Sequence, residues 1–250
     1  MSLRSYLDGA LIVEQREGTR PPVLALHGWA RDRRDLVGIV SGREALLPDL
    51  PGFGSSPPPP EAWGAVEYGA SVAEFLTSHG QGPYVVVGHS FGGRVAVALA
   101  AEYPSLVSGM LLCGVPLVLI APPARPKLAF RAARWAQRRG LLSDSVVERL
   151  RQRYGSADYN AAEGVMRAVL VRVIAEDYSE LLARVQAPVG LCWGENDAAV
   201  PVEVARRAAS LVTNLACFEI VPGVGHDVIL QAPDRTRAAL QCVVDAACTG

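Results

Sequence analysis

Nowhere in the sequence does an uncharged apolar run reach the roughly 20 residues of a membrane-spanning helix, so no transmembrane segment is expected. Cysteine is scarce: Cys113, Cys192, Cys217, Cys242 and Cys248 are an odd set with no Cys-x-x-Cys pair. That argues against a disulfide framework or a thiolate metal site. It favours small buried hydrophobes and a reducing, cytoplasmic setting. The first residues, Met1 to Asp8, hold no long apolar stretch behind a basic end, so no signal peptide is expected. An excess of one charge is lacking too. Lys and Arg number 24 against 25 Asp and Glu, for a formal net charge of -1, and no field drawing the chain to nucleic acid is expected. There is no internal repeat, and Ser55 to Pro60 reads as an extended spacer, with an SH3-type ligand as the weaker alternative.

What remains is material for a large core. Half of the 250 residues are hydrophobic, enough for one α/β domain with or without an insertion. Apolar runs at Val23 to Leu26, Tyr84 to Val87, Val107 to Cys113, Val189 to Trp193 and Leu215 to Val221 read as strands buried on both faces. Ala45 to Asp49 is a shorter candidate, and Leu11 to Val13 reads as part of an edge hairpin. Helical patterns lie between them at Val66 to Ser78, Phe91 to Glu102, Val202 to Leu211 and Asp234 to Ala247. This alternation predicts a mostly parallel sheet with helices on both faces. It breaks between about Val115 and Ala187. Helices are expected there at Leu128 to Arg138, Ser143 to Tyr154, Ala161 to Ala175 and Ser179 to Arg184, with no convincing strand.

The strongest chemical signal is Gly88-His89-Ser90-Phe91-Gly92-Gly93, behind the run Tyr84 to Val87 and ahead of a helix. This is the strand–turn–helix setting of a nucleophile elbow. So tight a turn at Ser90 leaves no room for side chains at Gly88 and Gly92. It lifts the hydroxyl above the sheet, at a helix N-terminus that favours developing negative charge.

A serine needs a base, and only four histidines exist. His89 adjoins Ser90, and its ring is expected to point elsewhere. His79 sits at a helix end. His27 follows a strand, and His226 lies in a glycine-bearing loop after the last one, where an imidazole can reach back to Ser90. His226 is the expected base. Asp197, directly after the Val189 to Trp193 strand, is expected to orient it, with Glu195 as rival and Asp227 badly placed beside its own neighbour. The backbone N–H groups of Phe91 and Trp29 are the expected oxyanion donors. The Trp29 and Phe91 rings suit a pocket wall and core packing equally.

Together, Leu26-His27-Gly28-Trp29, Asp49 to Ser56, the elbow at Ser90, Trp193-Gly194-Glu195-Asn196-Asp197 and Gly225-His226 resemble the α/β-hydrolase superfamily, in its order Ser, Asp, His. The resemblance implies an eight-stranded, mostly parallel sheet with a helical cap after the sixth strand. The core would be residues 1–114 and 188–250, and the cap residues 115–187. Haloalkane dehalogenases and epoxide hydrolases of this fold carry aspartate at the nucleophile. Serine here points to carboxylesterase-like chemistry on small to medium esters, without metal or organic cofactor. A C–C bond hydrolase or lyase, a thioesterase, an acyltransferase and a slow ligand receptor are the alternatives, on a small-molecule partner. Monomer and homodimer both stay open.

Between Ala121 and Arg153, nine basic residues (Arg125, Lys127, Arg131, Arg134, Arg138, Arg139, Arg149, Arg151 and Arg153) face only Asp144 and Glu148. They read as a solvated face or as a lure for anionic substrates. Trp135 falls on an apolar helical stripe with Leu128, Ala132 and Ala136. It and His27 are further candidates for the pocket.

Overall fold

The computed structural model describes residues 2–120 and 156–249, with residues 135–137, 139, 140, 142, 143 and 146 between them. The helices expected at Leu128 to Arg138 and Ser143 to Tyr154 lie largely outside those residues, as do all the basic residues named above except Arg139.

Eight strands form one sheet: β1 (Ser2–Tyr6), β2 (Leu11–Arg16), β3 (Thr19–Leu26), β4 (Arg43–Asp49), β5 (Tyr84–His89), β6 (Val107–Cys113), β7 (Val189–Gly194) and β8 (Leu215–Val221). Their order is β1-β2-β4-β3-β5-β6-β7-β8. Only β2 runs against the rest, pairing antiparallel with both β1 and β4. From β4 to β8 every pairing is parallel. Val85 to Val87 of β5 and Met110 to Cys113 of β6 are apolar and buried without a break because helices cover both faces.

The helices are α1 (Ala65–His79), α2 (Phe91–Glu102), α3 (Ala157–Ala161), α4 (Gly164–Val173), α5 (Ser179–Arg184), α6 (Val202–Leu211), α7 (Val228–Gln231) and α8 (Pro233–Thr249). One core lies between the sheet and α1, α2, α5 and α6, where Val72, Phe75, Val95 and Leu99 meet Leu24, Val86 and Leu112. The second lies on the opposite face, where Leu240, Val243 and Val244 of α8 join Leu36 and Ile39 against Val85, Val87 and Leu111. From Phe91 to Ala101, α2 is buried on every side, which its run of Val, Ala and Leu permits. Among the described residues no helix is long and apolar enough to cross a membrane.

Two expectations need correction, and β1 is a strand that no pattern in the sequence announces. β1 reads as polar because it is an exposed edge strand, and nothing in Ser2–Tyr6 alternates. β8 is half-buried rather than buried on both faces, because it closes the opposite edge. The expected helix Ala161 to Ala175 is broken at Ala162 and Glu163, whose backbone is extended, and α3 precedes the break. Of the cysteines, all five are free. Only Cys113 and Cys192 are fully buried, and Cys248 is exposed.

Candidate active site

The C-terminal ends of β3, β5, β7 and β8 deliver the candidate residues to one edge of the sheet. At the end of β5, Ser90 adopts φ 49° and ψ −112°, a strained conformation for a residue with a side chain. Its N–H donates to the Cys113 carbonyl at 2.9 Å, which fastens the elbow to β6. The glycines around it are required by close approach. A Cβ on Gly88 would lie 2.5 Å from the Gly93 Cα, and one on Gly92 would lie 2.2 Å from the Leu26 carbonyl oxygen. The Gly92 constraint therefore comes from α2 pressing on the end of β3, not from the elbow alone. Gly93 is bound by a side chain instead, since its Cβ would lie 2.2 Å from Val115 Cγ2.

Ser90, His226 and Asp197 are brought together. The Ser90 hydroxyl donates to His226 Nε2 at 3.1 Å, and His226 Nδ1–H donates to Asp197 Oδ2 at 2.8 Å. An ionised carboxylate only accepts, which fixes this tautomer. The other oxygen, Asp197 Oδ1, accepts from the N–H groups of Ala199 at 2.9 Å and Val200 at 2.7 Å, so the buried carboxylate cannot swing. The rivals are engaged elsewhere. Glu195 accepts from the Gly223 N–H, and Asp227 pairs with Arg31 at 2.6 Å.

Ser90 and His226 open onto a cavity of about 420 Å³, also lined by Trp29, Phe91, Arg94, Leu170, Val173 and Ile174. The N–H groups of Trp29 and Phe91 donate no hydrogen bond among the described residues. The two side chains turn out to be wall and core at once. Trp29 packs edge-on to Phe91 at 5.5 Å, and Phe91 edge-on to Tyr68 at 5.0 Å, while both line the cavity.

Two pocket candidates lie off the cavity lining. His27 is fully buried and does not line the cavity. Its Nδ1–H donates to the Gly28 carbonyl at 2.8 Å, and its Nε2 accepts from the Leu50 N–H at 2.9 Å. The ring bolts two loops together, and burial holds its pKa below the ordinary histidine value. Trp135 is 55% exposed, with the Arg139 guanidinium 4.5 Å from its ring centroid, and it does not line the cavity either. His79 bonds to Gln15 and Tyr84, away from the site.

Three residues that sequence reasoning missed belong here. His89 does line the cavity. Its Nε2–H donates to the His226 carbonyl at 3.2 Å, and its Nδ1 is buried without a partner among the described residues. Burial, then the neighbouring His226, push its pKa down to about 4. Gly114, at φ +57°, lets β6 end against the triad, where a Cβ would lie 3.3 Å from His226 Nδ1. Arg94 stands one helical turn after Ser90, and its signal is legible: it is the one basic residue of a buried apolar helix. Among the described residues, no group of three or more His, Cys, Asp or Glu side chains is placed to hold a metal ion.

The model of the alpha/beta hydrolase family matches residues 23–239 of the chain. The chain belongs to the alpha/beta hydrolase family. It is therefore a hydrolase, and its relatives within the family differ in reaction. It is 28% identical over 239 residues to a pimeloyl-[acyl-carrier protein] methyl ester esterase of Chromobacterium violaceum, covering 84% of this chain and 88% of that one. It is equally 28% identical over 256 residues to haloalkane dehalogenase 2 of Mycobacterium tuberculosis, covering 90% and 88%. Among solved structures it resembles a thermophilic esterase from Thermogutta terrifontis, with a TM-score of 0.71 at 26% identity, over 95% of this chain and 94% of that one.

Proposed function

We propose that this alpha/beta hydrolase is a serine esterase that cleaves carboxylic esters of small to medium size through an acyl-enzyme. The observation that carries the reading is the hydrogen-bonded chain from Ser90 through His226 to Asp197 at the floor of the cavity. Ser90 Oγ attacks the ester carbonyl while His226 Nε2 takes its proton. Asp197 holds the tautomer and stabilises the imidazolium. The unpaired N–H groups of Phe91 and Trp29 receive the oxyanion. Collapse expels the alcohol, which takes the proton from His226. Water, deprotonated by His226, then attacks the acyl carbonyl and frees Ser90. Esterases stand among its relatives, which supports this reading.

Residues 115–187 act in this reading as a cap on a core of residues 1–114 and 188–250. Supporting this, Asp158, Leu170, Val173 and Ile174, all between β6 and β7, line the cavity beside Ser90. Five unpaired cysteines support a reducing, cytoplasmic setting.

The test is active-site labelling with a fluorophosphonate and turnover of short p-nitrophenyl esters. The expected result is one label, on Ser90. Ser90→Ala is expected to lose the label and at least about 10⁴-fold in kcat, at an unchanged melting temperature. Turnover that survives in Ser90→Ala sinks the assignment.

A further inference from the structure

Arg94 is a cation in an improbable place. It is only 8% exposed, lies one turn after Ser90 on α2, and lines the same cavity as Ser90 and His226. No carboxylate pairs with it among the described residues. Its Nη1 donates to the Val173 carbonyl at the end of α4, while its Nε–H is buried with no acceptor among those residues. The guanidinium also lies 5.5 Å from the Tyr178 ring centroid and is hydrogen-bonded to that residue's hydroxyl, which leaves the Nε–H still unmatched. Burial lowers its pKa from the ordinary value, but a guanidinium stays charged at any working pH.

A buried charge is normally paired, since an unpaired one is strongly destabilising. Two local compensations fall short. The C-terminus of α4 offers the partial negative charge of a helix end, roughly half a unit, through one carbonyl. Glu176 is the nearest acidic group in the chain of contacts, reached through the Tyr178 hydroxyl at 2.6 Å. Its carboxylate is already held by Arg172 Nε at 3.1 Å and by the Ala65 N–H at 3.2 Å. The other charges of the cavity are balanced or hydrated. Arg31 pairs with Asp35 at 3.2 Å and Asp227 at 2.6 Å, and Asp158 is exposed on a different element, α3. Among the described residues, Arg94 alone is left with positive charge and free donor capacity beside the nucleophile.

We propose that Arg94 is a specificity-determining residue that receives a carboxylate on the substrate, so that the preferred esters are half-esters of dicarboxylic acids. This rests on the serine-esterase reading above and names the substrate class of that site. A planar guanidinium presents a fork of donors that matches a carboxylate, and a single guanidinium balances a single negative charge. The substrate supplies the counter-charge that the fold omits, and its binding relieves the cost of the buried cation.

The test compares two series of matched acyl length. One is the monomethyl esters of succinic, glutaric and adipic acid, and the other is the methyl esters of butyric, pentanoic and hexanoic acid. The wild-type protein is expected to favour the carboxylate series in kcat/KM by at least about tenfold at its best length. Arg94→Gln is expected to lower that ratio at least about tenfold, through KM rather than kcat, and Arg94→Lys to restore part of it. A purely structural clamp on α4 would weaken both series alike, so an unchanged ratio in Arg94→Gln overturns the proposal. Should that variant not fold, the wild-type protein decides. Free glutarate is expected to inhibit turnover of a neutral ester at least about tenfold more strongly than glutaramide, and equal inhibition overturns the proposal. Hydrolysis of neutral esters without any carboxylate preference sinks the subsite and leaves the esterase standing. No ester turnover and no fluorophosphonate labelling removes both.

Discussion

The floor of the cavity and its outer wall are built under opposite constraints. At the floor, Gly88, Gly92 and Gly93 sit where any Cβ would come within 2.5 Å of another atom, and Phe91 is 3% exposed. On α4 the wall residues Leu170 and Val173 are buried, but Ile174 at its end is nearly half exposed, as is Val171 away from the cavity, and Gly164 at its start, also away from the cavity, has open space around it. Close approach of backbones dictates residue types at the floor. At the wall, many side chains satisfy the same backbone. The elbow is therefore set by forced residues, and the exposed end of α4 by permissive ones.

Alanine substitution of a glycine in each region tests that contrast most severely. Gly92→Ala would push a methyl group to 2.2 Å from the Leu26 carbonyl and 2.6 Å from that of His27. Either α2 or the end of β3 must move, and we expect a loss of more than about 3 kcal/mol in urea unfolding. Gly164→Ala meets no atom within 4 Å and suffers only from its φ of +50°. That costs about 1–2 kcal/mol. Equal losses at the two sites would erase the distinction.

The same contrast explains which features the amino-acid sequence reveals by itself. Ser90 and its glycines are legible because sterics leaves no alternative there. Asp197 and His226 are legible from their place after β7 and β8, in a fold whose strands announce themselves by buried apolar runs. β1 is silent because an exposed edge strand need not alternate. His27 misleads because a histidine at a strand end looks alike whether it faces a cavity or bolts Gly28 to Leu50; only burial separates the two. The ring of His89 turns to the His226 carbonyl and not to Ser90, but chain adjacency says nothing of its place on the cavity lining. Arg94 carries a signal, a lone cation in a buried apolar helix, but its neighbours Val173 and Tyr178 come from a distant stretch of chain.

Acid sensitivity is expected to arise at the floor as well. His89 has a folded pKa of about 4 against the ordinary histidine value of 6.5. Between those values the unfolded chain binds more protons, so stability is complete above about pH 6.5 and falls as the pH drops toward 4. At 1.36 kcal/mol per unit the loss approaches about 3 kcal/mol at full burial. His27, also lowered by burial, adds to it in the same direction. Urea midpoints taken from pH 7 to pH 4 check this, and His89→Gln should flatten the slope. The exposed side of the molecule contributes in a lower window. Asp32, held at about 2 chiefly by its hydrogen bond to Arg34, loses its share only as the pH falls through the range from 3.8 to 2. A stability curve that stays flat to pH 4 would mean the two histidines are hydrated, and the floor less closed than its geometry implies.

The smallest effect on stability should come from the wall, and with it the clearest effect on choice of substrate. Ile174 lines the cavity yet is 47% exposed, so its side chain is only half removed from water on folding. Full burial of such a side chain is worth about 1.5–3 kcal/mol. Truncation at half burial, without an enclosed void, should therefore cost less than about 1 kcal/mol. The space it vacates adjoins Leu170 and Val173, which line the same cavity as Ser90. One methylene gained or lost against an apolar wall changes kcat/KM by about 10-fold or more. Ile174→Ala should thus shift the chain-length optimum of neutral esters toward longer acyl groups while the melting temperature hardly moves. A large stability loss with an unchanged optimum would place Ile174 in the core's packing. It would also show that the wall, like the floor, is held by constraint.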